Sequence, residues 1–144
     1  MKEIERDVAA ANAAFYQAFR DRNLVAMNEL WSKSAKIACI HPGMGVAIGR
    51  DEVMATWRGI LSHRDAPRLD CSRVEVHLLG TAAFVTCMEG NPGDPARLVA
   101  TNVFVLEDGR WKLVHHQAGP LSPEAIRRGR PSSDPPPPDP SSLN

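Results

Sequence analysis

The 144-residue chain carries no excess of either charge, with 17 Lys plus Arg against 17 Asp plus Glu. That removes the broad electrostatic attraction on which nucleic-acid and anionic-membrane binders draw, so neither is an expected partner. No apolar run approaches the roughly 20 residues of a membrane span. The charged opening "MKEIERD" lacks the apolar stretch of a secretory signal, and a cytoplasmic protein is expected. A Gly-rich phosphate loop and a cofactor fingerprint are both missing, so no cofactor is expected. Cysteine is scarce. Cys39, Cys71 and Cys87 are odd in number, lie in apolar runs and show no CxxC spacing, which reads as buried free thiols. What is present is ordinary for a globular chain: 43% hydrophobic and 24% charged residues, enough for one domain around one core.

The pattern along the chain begins as helix. Over residues 4 to 20, Ile4, Val8, Ala11, Phe15 and Phe19 recur at spacings of three and four on one face. Asn23 is a good N-cap for a second, short helix carrying Met27, Leu30 and Trp31. "AKIACI" reads as a strand and "HPGMG" as the turn out of it. A third helix, "RDEVMATWRGILSH", has Val53, Met54, Trp57, Ile60 and Leu61 as its apolar stripe. From "RLDCSRVEVHLL" onward the period is two, through "AAFVTCME", "ARLVATNVFVL" and "WKLVHHQA". This predicts a four-strand antiparallel meander after the helices, an α+β layout. "EDG" suits a type I turn with Gly109 left-handed.

Val99, Thr101, Val103 and Val105 alternate with Ala100, Asn102, Phe104 and Leu106, so the sheet is apolar on both faces. One face takes the helices. The other needs a second cover, and a homodimer through the outer sheet face is the simplest. Residues 1–120 form the domain on this reading. Residues 121–144 are rich in Pro and Ser, almost lack large apolar groups, and are expected to be a disordered tail.

With "GRDEV…W" opening the third helix and "TNVFVLEDGRWKLVHH" closing the sheet, the chain resembles the nuclear transport factor 2-like superfamily over about residues 5 to 120. It most resembles the SnoaL-like subgroup that includes the calcium/calmodulin-dependent kinase II association domain. The resemblance implies a cone-shaped curved antiparallel sheet wrapped on three N-terminal helices, with a pocket in its wide end. It also implies roles. His41, before Pro42, stands where ketosteroid isomerase has its general-base aspartate. Phe15 stands at the oxyanion tyrosine, and Thr101 or Asn102 near the second oxyanion donor. Tyr16 is one step along the helix, about 100 degrees away, and is expected to point elsewhere.

His41 is thus the candidate proton-transfer residue, its backbone restrained by the proline and its ring mostly neutral near pH 7. In "HH" only one ring can enter the cone. A bulged turn at Gly109 puts His116 on the face of Asn102; a tight two-residue turn puts His115 there. The bulged turn, and hence His116, is the reading adopted. Phe15, Phe19, Trp57, Asn102, Phe104 and His115 are the candidate binding residues, suited to a small apolar or carbonyl-containing molecule. Two histidines with no obvious carboxylate partner make a poor metal site, so none is expected. The function expected is a small-molecule pocket protein of SnoaL-like type, as an isomerase, cyclase or dehydratase. A non-catalytic binding module and a dimerisation or oligomerisation domain are the alternatives.

Overall fold

The structure, a computed structural model, describes residues 2–128. Helix α1, Glu3–Arg20, buries Val8, Asn12, Phe15, Tyr16, Ala18 and Phe19. This face is turned from the one the apolar spacing predicts. Ile4 is 53% exposed, while Asn12 and Tyr16 point inward. The polar groups were passed over by a pattern that counts only apolar positions, yet Asn12 lies one turn from Val8. Helix α2, Leu24–Leu30, starts where Asn23 Oδ1 accepts from the Ala26 amide at 3.0 Å. Trp31 closes it as a C-cap and bridges to Leu113. Helix α3, Gly49–Ser62, turns Val53, Met54, Trp57 and Leu61 into the core. Its Arg50 guanidinium donates to the carbonyls of Asn28, Trp31 and Ser32 and ties α3 to the end of α2.

Six strands form one sheet: β1 Ala38–Ile40, β2 Val46–Ile48, β3 Asp70–Leu79, β4 Ala82–Gly90, β5 Leu98–Glu107 and β6 Arg110–Pro120, in the order β2-β1-β6-β5-β4-β3. The expected meander is β3 to β6. Two features correct the sequence reading. β2 exists, three residues too short for its alternation to stand out, and β1 pairs parallel with β6. The architecture remains α+β, with α1 and α3 against one sheet face.

"HPGMG" is the hairpin turn between β1 and β2. The Met44 amide donates to the His41 carbonyl at 3.0 Å, and Gly43 sits at φ +75°. Proline followed by a left-handed glycine is the type II pattern.

The turn at "EDG" differs from expectation. Glu107 pairs with Arg110, and Asp108 and Gly109 have φ of 51° and 77°. This is a two-residue turn of the I′ kind, whose twist suits a hairpin. The bulge lies further along: Val103 pairs with His115 but Phe104 with Leu113, leaving Val114 as the extra residue.

Part of the expected tail is ordered. Helix α4, Pro123–Arg128, starts where Ser122 Oγ accepts from the Ala125 amide, with proline in the first helical position. The Leu121 amide donates to the Arg97 carbonyl and Arg73 to the Arg128 carbonyl, tying this segment to the sheet. The remainder of the expected tail lies outside the described residues. Among these, no helix is long and apolar enough to cross a membrane.

Candidate functional site

His41 follows β1 directly and shares its inward side with Cys39, two residues earlier. Cys39 in turn pairs with His116 of β6, so the parallel β1–β6 ladder brings the two histidines side by side. Their ring centroids are 6.0 Å apart, and they are 5% and 2% exposed. The Trp57 and His41 rings are perpendicular with centroids 4.7 Å apart, and the Phe15 and His116 centroids are 5.0 Å apart. Phe19 meets Trp57 at 5.2 Å, and Phe104 is buried on the same sheet face, in line with Asn102. The interior site therefore gathers His41, His116, Phe15, Phe19, Trp57, Asn102 and Phe104. It does not gather His115, which lies on the opposite face with Nδ1 3.1 Å from the Ala38 carbonyl, a correction to its place among the binding residues.

His116 reaches the interior through the Val114 bulge and not through the turn. With a two-residue turn and a regular ladder, Leu113 and His115 would share a face. The extra residue restores the phase, so Leu113 and His116 are both buried.

The hydrogen bonds fix which nitrogen of each ring carries the proton. The Thr56 hydroxyl donates to the Val53 carbonyl at 2.6 Å. At its 2.9 Å contact with His41 it must therefore accept, from Nε2–H, which leaves Nδ1 as the free lone pair. Asn102 Oδ1, 2.6 Å from His116 Nδ1, can only accept, so His116 donates there and keeps Nε2 as its lone pair. Both rings are held neutral. Burial lowers His41 to about 4. Burial, then the neighbouring His41 and His115, lowers His116 to about 3.

Behind the histidines runs a buried polar network that the sequence reading did not include. Asn102 Nδ2 donates to Asn12 Oδ1 at 2.8 Å and to the Tyr16 hydroxyl at 3.2 Å. Tyr16 in turn donates to Glu89 Oε2 at 2.6 Å. Tyr16 thus points into the interior, against expectation: the buried arc of α1 is wide enough to hold both Phe15 and Tyr16. With both of its amide protons engaged, Asn102 holds His116 rather than presenting a donor to a carbonyl. Glu89 is 1% exposed, and burial raises its carboxyl above the usual range while Tyr16 pulls the other way. Burial first, then Glu89, raises the Tyr16 hydroxyl as well. A signal for Glu89 existed, because the alternation that turns Ala83, Val85 and Cys87 inward continues to it. The Trp57 indole N–H is buried without a hydrogen-bond partner among the described residues.

The thiols divide. Cys39 is buried and pushed up to about 12, by burial first. Cys87 is buried and Cys71 only half-buried. No three His, Cys, Asp or Glu side chains group to hold a metal ion among the described residues.

Residues 8–122 match the family model of the SnoaL-like domain. The chain is similar to a candidate dehydratase of the nuclear transport factor 2-like family from Streptomyces avermitilis, at 31% identity and TM-score 0.74, over 83% of this chain and 96% of that one. It is similar to a candidate calcium/calmodulin-dependent protein kinase type II association domain from Thiobacillus denitrificans, at 31% identity and TM-score 0.67, over 79% and 94%. It is also similar to the F-box protein SKIP8 of Arabidopsis thaliana, 31% identical over 113 residues and 78% of this chain. The chain spans about half, 49%, of the length of that relative.

Proposed function

The chain belongs to the SnoaL-like domain family, and we propose that it acts on a small carbonyl-containing, largely apolar molecule bound beside His41 and His116, as an isomerase, cyclase or dehydratase. The observation that carries this reading is the pair of buried neutral imidazoles, each with its proton committed to one partner and a lone pair left over. Two titratable groups in an apolar interior are costly unless used. His41 Nδ1 is the base: it takes a proton from the carbon next to the carbonyl and returns it at the product position. Thr56 holds the ring in the tautomer this requires. The Trp57 N–H, without a hydrogen-bond partner among the described residues and on a ring centred 4.7 Å from that of His41, is the donor available to the carbonyl oxygen as negative charge develops there. Asn102 positions His116, and Phe15, Phe19 and Phe104 supply apolar walls.

The test is histidine titration by NMR with a panel of small carbonyl compounds and carboxylates, followed by turnover assays on those that bind. His41 and His116 resonances should both move with one class of compound. His41→Ala should then reduce turnover about 10²–10⁴-fold, the usual contribution of a general base. Binding with no turnover of any compound would favour the receptor reading. No disturbance of either ring by the panel would sink the site itself.

A second reading, for the other sheet face, is self-association. Val46, Ile48 and Val99 there are 52%, 47% and 44% exposed, an apolar face that a second copy of the chain would cover.

A further inference from the structure

Cys71 and Cys87 are distant in sequence, but the β3–β4 ladder makes them neighbours. Cys71 pairs with Glu89, and the bulge at Arg73 and Val74 sets two β3 residues against Cys87. Both side chains are on the inner face of the sheet, diagonal to one another across the β3–β4 ladder. Cys71 lines a surface cleft of about 180 Å³ with Asp70, Asn91 and Asp94, while Cys87 lies behind it in the core. β3 is an edge strand, Cys71 is its second residue, and the bulge gives slack for the sulfurs to close. Both thiols also join the interior network at one hub. Asn12 Nδ2 faces Cys71 Sγ at 3.9 Å, the Tyr16 hydroxyl lies 3.2 Å from Cys87 Sγ, and Asn102 bonds both Asn12 and Tyr16.

We propose that Cys71 and Cys87 form a reversible oxidation site, in which a peroxide converts the thiol pair to an intramolecular disulfide. The Cys71 thiolate attacks one peroxide oxygen; the O–O bond breaks, and hydroxide leaves and is protonated to water. The Cys87 sulfur then attacks the sulfenic sulfur of Cys71. The S–S bond forms, the S–O bond breaks, and the hydroxyl departs as water with the Cys87 proton. Two thiols and one hydrogen peroxide give one disulfide and two waters, the two electrons passing from sulfur to the peroxide. A dithiol reverses the change by exchange. An accessible attacking thiol with a resolving thiol behind it is the arrangement of a redox-sensing pair. The Cys87 interaction and the nearby Arg20 favour the Cys71 thiolate, against burial and Asp70. The disulfide takes both sulfurs away from Asn12 and Tyr16, so the change reaches His116 through Asn102. This site stands apart from the catalytic reading and holds whether or not the interior turns over a substrate.

The test is hydrogen peroxide treatment of the full chain, then alkylation after unfolding and peptide mapping. The reduced protein has three alkylatable thiols. Oxidation should leave Cys39 alone alkylatable and yield a 71–87 linked peptide, and dithiothreitol should restore all three. The His116 imidazole resonance should shift on oxidation of the wild type and stay put in Cys87→Ser. Cys39→Ser, which leaves the pair intact, should lose both remaining thiols, so the proposal stays testable if the other variants do not fold. Sulfinic acid at Cys71 with Cys87 still alkylatable, links between copies, or no reaction where free cysteine reacts would each overturn it.

Discussion

At the scale of single residues, three buried titratable groups oppose one another across pH. The two histidines have folded-state pKa values of about 4 and about 3, against 6.5 for the free side chain. Depressed values mean that the unfolded chain binds more protons, so stability falls with pH. The loss begins below about 6.5 and continues to the folded values, at about 1.4 kcal/mol per pH unit for each ring. Glu89 has the opposite sign. Its raised pKa means the stability associated with its neutral form is complete below the ordinary carboxylate range and fades as pH rises towards the folded value. Urea midpoints followed from neutral pH to about 5 should fall steeply. His116→Asn, which keeps a donor to Asn102 and removes one of the two histidine titrations, should make that fall shallower. Glu89→Gln, which keeps an acceptor for Tyr16, should raise the midpoint at neutral pH and above. A flat acid limb in the wild type would show that the rings are not held neutral by the fold. At this scale the sequence was legible wherever a residue is itself unusual. His41 was marked by Pro42, and "HH" by its doubling. Tyr16, Asn12 and Glu89 were not marked, because an inward polar group in an apolar pattern looks like a gap in the pattern. Only the partner strands and helix, unknown to a one-dimensional reading, turn that gap into a hydrogen bond.

At the scale of elements, the critical feature is the phase of β6. The turn at Asp108 and Gly109 starts the strand in the phase that would send His115 inward, and the Val114 bulge reverses it. Helices, their caps and the β3–β6 meander were legible, since period and capping chemistry are local. The bulge was not. Residues 107–109 read as a bulged turn but also fit the tight turn that forms, and nothing in "WKLVHH" announces where a residue goes unpaired. The inward residue agrees with the reading adopted, but the device that turns it inward does not. Deleting Val114 should thus be tolerated, because it removes the unpaired residue and leaves Leu113 and His116 both on the inner face. A loss of about 1–3 kcal/mol is expected, as for other single changes, with the His116 resonance still titrating far below its free value. Gly109→Ala should cost about 1–2 kcal/mol, the penalty for a side chain in the left-handed region. If the Val114 deletion instead returns the His116 pKa to that of a free imidazole, the assignment of the bulge is wrong.

At the scale of the whole molecule, the sheet separates two faces by alternation. The inner rung through Val85, Asn102, His116, Cys39 and Ala47 carries the histidine and its support. The adjacent outer rung runs through His77, Phe84, Val103, His115, Ala38 and Ile48 across all six strands. A substitution on the outer rung can therefore test self-association without touching the site. Val103→Glu places a carboxylate in the middle of the outer face. In a two-fold interface the same position recurs on the partner, so each dimer gains two carboxylates at an apolar seam. The proposed dimer should weaken by about 2 kcal/mol or more, seen as a shift to monomer in sedimentation. The interior should not respond, because Val103 points away from Asn102 and Phe104: the His41 and His116 resonances should keep their positions in the variant. A wild-type chain that sediments as a monomer at its highest soluble concentration would remove the outer face from the account. A variant that loses both the dimer and the histidine shifts would show that association and site are one structure. The helices would then be insufficient to hold the histidines in place, and the second copy would be required to complete the inner face.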